Sequence, residues 1–509
     1  LITEKNFSVV VNNEGENTIE VEVINNLGVK ETLTQNVYID TTKPEITSFE
    51  FVESNNNLFA KVINFLSFGT FFNEEVQITV TPFDDGDSSG IKNVALYLNG
   101  EEATDYKPAH DSERGTWTFT IPKPKVKFSA EISATVTDNV GHCTEKIRPT
   151  TENSNAQSAN LMIETVKPEA EITVSGSNKH GDWYSSDVKF TVKASDSDDS
   201  SGVRSVIASI NGKELLNKDF SKSKKKVEST DAFTISTKDA KIKSDGSYEL
   251  KVTVTDNAGN VSKEYTEKVY KDITAPVITG FAFNAKDYKE GREDAASVEA
   301  TDYGFYFKKD TKVTISAKDD SHSSGIKSIT YYTVDVDNNK SAEKTVTVKD
   351  NKISFTVKAD FKGQIYAKAT DNVKNTTKDF VTPNSTIVES PSKHSEENHI
   401  AFSKDKASYK TENKTDLYSK NVPVAITVTD TYSGIREIEW SVTAPYDTNN
   451  NQSGKVTVDN NRKMSGDSGW KQDKTEANLV YVMKKTVTVS NNSNDIVVKV
   501  KMTDRAGNT

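Results

Sequence analysis

Carboxylates recur at two fixed kinds of position along this 509-residue chain. One follows a short hydrophobic alternation, as Asp196, Asp198 and Asp199 follow Val188–Val192, and the other closes a Thr-Asp pair before a turn. Grouped carboxylates repel one another unless a cation or hydrogen bonds hold them, and calcium takes roughly six to eight oxygen ligands. The pattern predicts calcium ligands at Asp84, Asp85, Asp87, Asp138, Asp196, Asp198, Asp199, Asp256, Asp319, Asp320 and Asp371.

A purely structural role is the alternative for the acids that close the Thr-Asp pairs, and both interpretations stay open. These residues, Asp138, Asp256, Asp371 and Asp504, stand before turns rich in Asn and Gly. A carboxylate in that place caps backbone N–H groups two residues further on. The spacing does not match an EF-hand loop. The fourth copy of the pattern also lacks the cluster of several acids after its alternation, since Asp430 is the one acid in Asp430-Thr-Tyr-Ser433.

No arrangement of residues in the sequence indicates catalysis or another cofactor. The six histidines are scattered without metal-ligand spacing: His110, His142, His180, His322, His394 and His399. No nucleophile elbow, phosphate loop or dinucleotide fingerprint occurs. His142 and the lone cysteine, Cys143, are adjacent in a turn, which offers no folded site for a nucleophile. No pattern singles out the buried Lys, Asn and acid that an isopeptide cross-link needs, so we predict that the chain is not an enzyme.

The elements around these acids repeat four times. Each copy places Ser-Gly and a branched aliphatic residue after the acids, and Gly90, Gly202, Gly325 and Gly434 are spaced by 112, 123 and 109 residues. A period of this size corresponds to a whole small domain, not to a solenoid unit. Prolines mark three domain starts, and residues 383–399 are a looser linker or an extended first strand. We predict closing strands of a preceding domain at 1–43, then domains at 44–166, 167–275, 276–390 and 391–509, the last without its final strand.

The local patterns predict β structure throughout. Val, Ile, Thr and aromatic residues alternate in period-2 runs bounded by Asn, Asp, Gly and Ser. Asn99-Gly100 and Asn211-Gly212 predict type I′ hairpin turns. Aromatic residues precede the acidic strand in each copy and are expected to pack in the core or at its rim: Phe71-Phe72, Trp183-Tyr184, Tyr306-Phe307 and Tyr418.

Composition excludes some classes of partner. The net charge is −11 and the pI about 5.3, and no long basic stripe occurs, so nucleic acid is not expected to bind. No apolar run approaches the length that spans a bilayer. A single cysteine allows no intrachain disulfide, which fits a cytosolic protein or a bacterial surface protein, and we favour the surface.

The second copy resembles the bacterial immunoglobulin-like (Big-type) repeat. The resemblance rests on Trp183-Tyr184, Val188–Val192, Asp196, Ser201-Gly202-Val203, Asn211-Gly212 and Tyr248–Asn260, while the third and fourth copies drift from the pattern. It implies an all-β fold of tandem immunoglobulin-like Greek-key β-sandwiches in an extended rod. It also implies a non-catalytic stalk or adhesin section of a bacterial cell-surface or secreted protein, a monomeric rod within a longer chain. Such a section projects or forms a surface for a host protein or glycan, and copies one and four carry the largest insertions.

Two further expectations follow from this fold. With strands lettered A to G, the B–C and F–G loops share the pole at which strand A begins, so the acids of each domain should face the domain before it. Calcium bound there would stiffen the joints. The alternative function is a spacer array of a secreted multidomain enzyme, such as a glycosidase or protease.

Overall fold

The computed structural model describes residues 6–54, 68–156, 158–240, 244–283, 305–382, 386–390, 398–402, 409–410, 416–418, 420–459, 461–476 and 479–509. Pro383, Pro391 and His394 of the predicted fourth linker lie outside the described residues. The chain divides into two compact units. The first comprises Leu1–Ser177, Asp187–Lys243 and Ser247–Tyr270, and the second Asn178–Ser186, Ser244–Gly246 and Lys271–Thr509.

The first unit opens with an antiparallel hairpin and continues with two sandwiches. The hairpin is formed by β1 (Gly15–Ile24) and β2 (Lys30–Ile39). The strands of the first sandwich are β3 (Glu45–Glu53), β4 (Thr70–Phe72), β5 (Val76–Phe83), β6 (Ile91–Leu98), β7 (Glu101–Glu102), β8 (Ala109–Asp111), β9 (Thr116–Ile121), β10 (Lys127–Asp138) and β11 (Asn160–Glu164). Its two sheets have the orders β3-β5-β9-β8 and β4-β11-β10-β6-β7.

The second sandwich repeats this plan. Its strands are β12 (Glu169–Ser175), β14 (Lys189–Ser195), β15 (Val203–Ile210), β16 (Lys213–Asp219), β17 (Phe233–Ser236), β18 (Gly246–Asp256) and β19 (Tyr265–Lys271), while β13 (Trp183–Tyr184) is assigned to the second unit. One sheet has the order β12-β14-β17, and the other contains the sequence of neighbours β19-β18-β15-β16. These are the A-B-E and G-F-C pairings of an immunoglobulin-like Greek key.

The second unit contains the third and fourth sandwiches. The third has β20 (Val277–Phe283), β21 (Phe305–Phe307), β22 (Thr311–Lys318), β23 (Ile326–Asp335), β24 (Lys344–Thr347), β25 (Lys352–Val357), β26 (Phe361–Asp371), β27 (Phe380–Val381) and β28 (Thr386–Val388). The fourth has β29 (His399–Phe402), β30 (Tyr409–Lys410), β31 (Asp416–Leu417), β32 (Val422–Thr429), β33 (Ile435–Thr443), β34 (Gln452–Val458), β35 (Met464–Gly466), β36 (Lys471–Glu476), β37 (Leu479–Val489) and β38 (Val497–Asp504).

The A-B-E and F-C pairings of the first unit recur in the second. The sheet orders are β20-β22-β25 with β21-β28-β26-β23-β24 in the third sandwich, and β29-β32-β37-β36 with β35-β34-β33-β38 in the fourth. The predicted all-β fold of tandem immunoglobulin-like sandwiches is therefore confirmed. Among the described residues, no helix is long and apolar enough to cross a membrane.

Alternation of side chains explains why these runs form sandwiches. Along β14, Phe190, Val192 and Ala194 are fully buried, while the residues between them face outward. Successive side chains of a strand point to opposite faces, so one face of each sheet enters the core. Burying a Phe or Val side chain stabilises the fold by about 1.5–3 kcal/mol. Phe72 and Phe307, two of the aromatic residues before the acidic strand, lie in the core as predicted and are at most 1% exposed.

The two Asn-Gly hairpins are also confirmed. Asn99 and Gly100 have φ of +53° and +85°, and Asn211 and Gly212 have +49° and +78°, the left-handed values that a type I′ turn needs. These hairpins join β6 to β7 and β15 to β16. They fix the register of the C strands, which begin directly after the Ser-Gly pairs.

Candidate metal centres

Four groups of metal-ligating side chains lie within the described residues, one beside the first strand of each sandwich. In each group one ligand atom from each of three residues lies within 4.8 Å of the others. We call them clusters one to four: Asp40, Asp138 and His142; Glu164, Asp196 and Asp256; Asp272, Asp319 and Asp371; Glu389, Asp430 and Asp504.

Clusters two to four share one construction. Each takes an acid from the linker before strand A, an acid that follows strand B and the acid that ends strand F. The topology brings these positions together because the B–C loop, the F–G turn and the start of strand A occupy the same pole of a sandwich. In cluster two, Glu164 ends β11 of the first sandwich, while Asp196 and Asp256 belong to the second. In cluster four, Glu389 follows β28 of the third sandwich, and Asp430 and Asp504 belong to the fourth.

Backbone N–H groups of the loops orient the acids of cluster two. Ser201 N donates to Glu164 Oε1 at 2.7 Å, and Gly202 N donates to Asp196 Oδ2 at 2.9 Å. Asn260 donates from its backbone N to Asp256 Oδ1 at 2.8 Å and from Nδ2 to Asp256 Oδ2 at 2.9 Å. The same Nδ2 donates to the backbone carbonyl of Glu164 at 3.1 Å. Asn260 therefore connects the F–G turn to the preceding linker.

The same contacts recur in clusters three and four. The serine of each Ser-Gly pair donates its N–H to the linker acid, at 2.7 Å from Ser324 to Asp272 and at 3.0 Å from Ser433 to Glu389. Asn375 Nδ2 reaches Asp371 Oδ2 at 2.7 Å and the carbonyl of Asp272 at 2.9 Å. The corresponding distances from Asn508 Nδ2, to Asp504 and Glu389, are 3.0 and 3.3 Å. The recurrence indicates that the linker acid is part of each loop structure.

Another contact holds the two acidic loops together. Asn257 Nδ2 donates to the carbonyls of Ser201 and Gly202 at 3.0 and 3.1 Å, and Asn139 and Asn372 make the equivalent pairs of bonds in their sandwiches. In the fourth sandwich Arg505 takes this position, where its backbone N–H donates to the Gly434 carbonyl at 3.0 Å and its guanidinium donates to the Asp459 carbonyl at 2.7 Å. The Asp-Asn dipeptide therefore positions both loops of a cluster.

Several buried carboxylate oxygens in the clusters have no hydrogen-bond partner. They are Oδ1 of Asp272 and Oε1 of Glu389, in side chains that are fully buried, and Oδ2 of the partly buried Asp319. A buried polar atom without a partner costs about 1–3 kcal/mol, and more when it is charged. These oxygens therefore have lone pairs that can coordinate a cation, and a bound cation would remove the cost of leaving them unsatisfied.

The pKa values reflect the same crowding. Burial raises the pKa of Asp256 to about 8, against hydrogen bonds from Asn260 that lower it, and the charge of Glu164 contributes to the rise. Burial and the charges of Asp430 and Asp504 raise the pKa of Glu389 to about 8. Burial raises the pKa of Asp371 to about 6. Without a positive ion, these groups hold protons that free carboxylates release near pH 4.

Cluster one differs in chemistry and in charge balance. His142 stands where the other sandwiches have Asn260, Asn375 and Asn508, and its Nδ1 lies 2.9 Å from Asp138 Oδ2. Ser89 N donates to Asp40 Oδ2 at 2.8 Å, and its hydrogen bonds lower the pKa of Asp40 to about 2. This cluster therefore contains an ionised carboxylate and an imidazole nitrogen.

Apolar contacts accompany clusters two and four. Phe71 of the first sandwich packs with Ala258 of the second, and Met162 lies against this pair. Tyr306 and Ile387 of the third sandwich pack with Leu479 and Tyr481 of the fourth. Lys362 Nζ adds hydrogen bonds of 2.8 Å to Tyr481 Oη and 2.9 Å to the Tyr432 carbonyl. Buried apolar side chains therefore pack across the joints that carry these two clusters.

The structure brings some of the predicted ligands together and leaves others apart. Asp138, Asp196, Asp256, Asp319 and Asp371 lie in clusters. Asp84 follows β5 in the position that Asp196 has after β14, but it is not among the three residues of cluster one. The remaining predicted ligands are exposed and outside the clusters: Asp85, Asp87, Asp198, Asp199 and Asp320. Asp138 also caps its turn, since its Oδ1 accepts N–H bonds from Val140, Gly141 and His142, while the assignment of these acids as calcium ligands stays a prediction.

Sequence reasoning missed the linker acids, His142 as a cluster member, and all of cluster four. A signal for the linker acids was present. Asp40, Glu164 and Asp272 each stand four residues before a domain-starting proline, and Glu389 stands two before Pro391. The recurrence of an acid at that position would have extended each predicted site across the joint.

Comparison with known proteins found similarity only to solved structures, several of them of tandem domains. No family model matches the sequence, and no curated protein matches it. Among solved structures, fibronectin(III)-like modules of Clostridium thermocellum CbhA are 14% identical, with 43% of this chain and 93% of that chain covered and a TM-score of 0.23. A titin segment is 10% identical (67% and 98% covered, TM-score 0.23). The three N-terminal domains of the bacteriophage RB49 outer capsid protein Hoc are 9% identical (68% and 99% covered, TM-score 0.27). At these scores the likeness carries no functional inference, and the fold assignment rests on the sheet topology.

Proposed function

We propose that this chain is a non-catalytic spacer of tandem immunoglobulin-like domains whose linkers are fastened by calcium. The observation that carries the proposal is the recurrence of one three-acid cluster, made from a linker acid, a B–C acid and an F–G acid, beside successive sandwiches. A turn former alone would need only the F–G acid. Burying the linker acid beside two other carboxylates is unfavourable unless a cation shared by all three offsets their repulsion.

Calcium fits clusters two to four better than other common ions. Their ligand atoms are carboxylate oxygens, and hard oxygen donors on loops suit calcium, which accepts variable geometry. Magnesium demands near-ideal octahedral geometry and keeps several waters. The partnerless oxygens of Asp272, Asp319 and Glu389 provide coordination sites that no protein donor occupies.

A bound ion would couple each linker to the sandwich that follows it. In cluster two, release of calcium leaves Glu164, Asp196 and Asp256 facing one another, and the attraction between the linker and the second sandwich is reduced to contacts such as the hydrogen bonds to Glu164 and the Phe71–Ala258 packing. Calcium replaces this repulsion by attraction. The expected consequence is a chain whose joints stiffen when calcium is present.

The setting we propose is the bacterial cell surface or the secreted space. The resemblance to Big-type repeats and the single cysteine, Cys143, support it, and millimolar calcium outside cells would fill sites of modest affinity. The spacer would project or form a surface for a host protein or a glycan. A spacer within a secreted multidomain enzyme would use the same joints.

Calorimetric titration with calcium tests the proposal on the whole chain. We expect three ions per chain at clusters two to four, and two ions for Glu164→Gln, which removes a carboxylate from cluster two. Asp198→Asn is the matched control, because Asp198 is an exposed acid of the same B–C loop and lies outside the cluster. Absence of binding at millimolar calcium, or an unchanged count in Glu164→Gln, would refute calcium at these joints.

A further inference from the structure

The first cluster has a different ligand set from the other three. At the fourth position after the acid that ends strand F, the other sandwiches carry an amide that donates to that acid and to the linker carbonyl. The first sandwich carries His142, whose Nδ1 lies 2.9 Å from Asp138 Oδ2. Asp138 is fully buried, whereas the His142 side chain is 35% exposed. An amide nitrogen cannot bind a metal in this place, but an imidazole nitrogen can.

We infer that cluster one binds a first-row transition metal such as zinc, with Asp40, Asp138 and His142 as its ligands. One nitrogen and two carboxylates match the ligand types found in zinc sites, and imidazole shifts preference away from calcium. The ion would take the place of the proton between His142 Nδ1 and Asp138 Oδ2. The His142 side chain is partly exposed, so water could complete the coordination of the ion.

A second observation supports an ion at this position. Both carboxylate oxygens of Asp84 are buried and have no hydrogen-bond partner. In the second sandwich the equivalent acid, Asp196, is satisfied by the N–H groups of Ser197 and Gly202. Tyr38 Oη donates to the Ser88 carbonyl and Ser89 N donates to Asp40 Oδ2, so the B–C loop that contains Asp84 lies against the segment that carries Asp40. Asp84 is thus a carboxylate without a hydrogen-bond partner in the loop that binds Asp40.

The inference extends the proposed function, because it specifies a second kind of ion at a joint, and the two can fail separately. Zinc is titrated into the whole chain in excess calcium. The calcium occupies clusters two to four if they bind it, so zinc binding there is suppressed. We expect one zinc ion per chain. His142→Asn gives cluster one the ligand set of the others and should weaken zinc binding at least about tenfold, the lower end of the loss seen for outer-shell partners of metal ligands.

Two control variants separate this site from other zinc-binding groups. Cys143→Ser should keep the zinc ion, because the exposed Cys143 is not a member of the cluster. His110→Asn should also keep it, because His110 stacks on Trp117 away from the cluster residues. Equal zinc affinity in His142→Asn and wild type, no zinc binding by wild type, or loss of zinc in Cys143→Ser alone would each overturn the inference. Failure of calcium binding with intact zinc binding would refute the proposed calcium sites and leave this one standing.

Discussion

Replacing Glu389 by glutamine is expected to stabilise the fourth sandwich without calcium and to destabilise it with calcium. Ser433 N donates to one carboxylate oxygen of Glu389, and the other oxygen is buried without a partner beside Asp430 and Asp504. Glutamine can keep the acceptor and place an N–H donor against the two remaining carboxylates. The gain without calcium should be about 1–3 kcal/mol, the usual cost of an unsatisfied buried group.

With calcium the sign reverses because the variant loses a ligand. An ion present at about 100 times its dissociation constant stabilises the native state by about 2.7 kcal/mol. The variant should forfeit most of that stabilisation. Urea unfolding followed by tryptophan fluorescence measures both conditions, because Trp440 and Trp470 are buried in the fourth sandwich.

Asp495→Asn is the control for this reversal. Asp495 is an exposed acid of the same sandwich, has a φ of +56° that asparagine also tolerates, and lies outside the clusters. Its substitution should shift stability by no more than about 0.5 kcal/mol in either condition. A Glu389→Gln variant that is destabilised equally with and without calcium would mean that the carboxylate has only a structural role.

The second large effect concerns pH. Asp256 and Glu389 have native pKa values of about 8, whereas unfolded carboxyls titrate near pH 4. The native state therefore binds more protons than the unfolded state between these values, and the stabilisation present below about pH 4 is lost as pH rises through about 8. Each group contributes a slope of up to about 1.4 kcal/mol per pH unit.

Calcium should invert this dependence. The ion binds only deprotonated carboxylates and competes with protons, so stability in calcium should rise with pH over the same window. Urea midpoints at pH 5 and pH 7.5, in buffer freed of divalent ions and in excess calcium, provide the comparison. Parallel curves in the two buffers would show that protons and calcium do not share these sites.

The sandwiches could be predicted from sequence because their signals are local. The alternation in Val188–Val192 and the turn residues Asn211-Gly212 each specify structure within a few positions. The recurrence of the same pattern at domain-sized intervals then fixed the number of sandwiches. The F–G acid, such as Asp256, was found for the same reason.

The composition of the clusters could be predicted only in part, because it depends on contacts between distant segments. Glu164 is 92 residues from Asp256, and only the packing of a linker against the next sandwich brings them together. The direction of the side chains in the B–C loop could not be predicted from the sequence either. Asp196 and Asp198 are two residues apart, and yet Asp196 is buried and Asp198 is exposed. His142 lies in a turn with no metal-ligand spacing in the sequence. Only the folded structure shows that it lies close to Asp40 and can act as a ligand.

Crystals of the whole chain grown in calcium, with anomalous differences collected at long wavelength, test the central claim most directly. We expect an anomalous peak among the carboxylates of Glu164, Asp196 and Asp256, and equivalent peaks in clusters three and four. Ordered carboxylates with no peak between them, held only by protons and N–H donors in excess calcium, would contradict it.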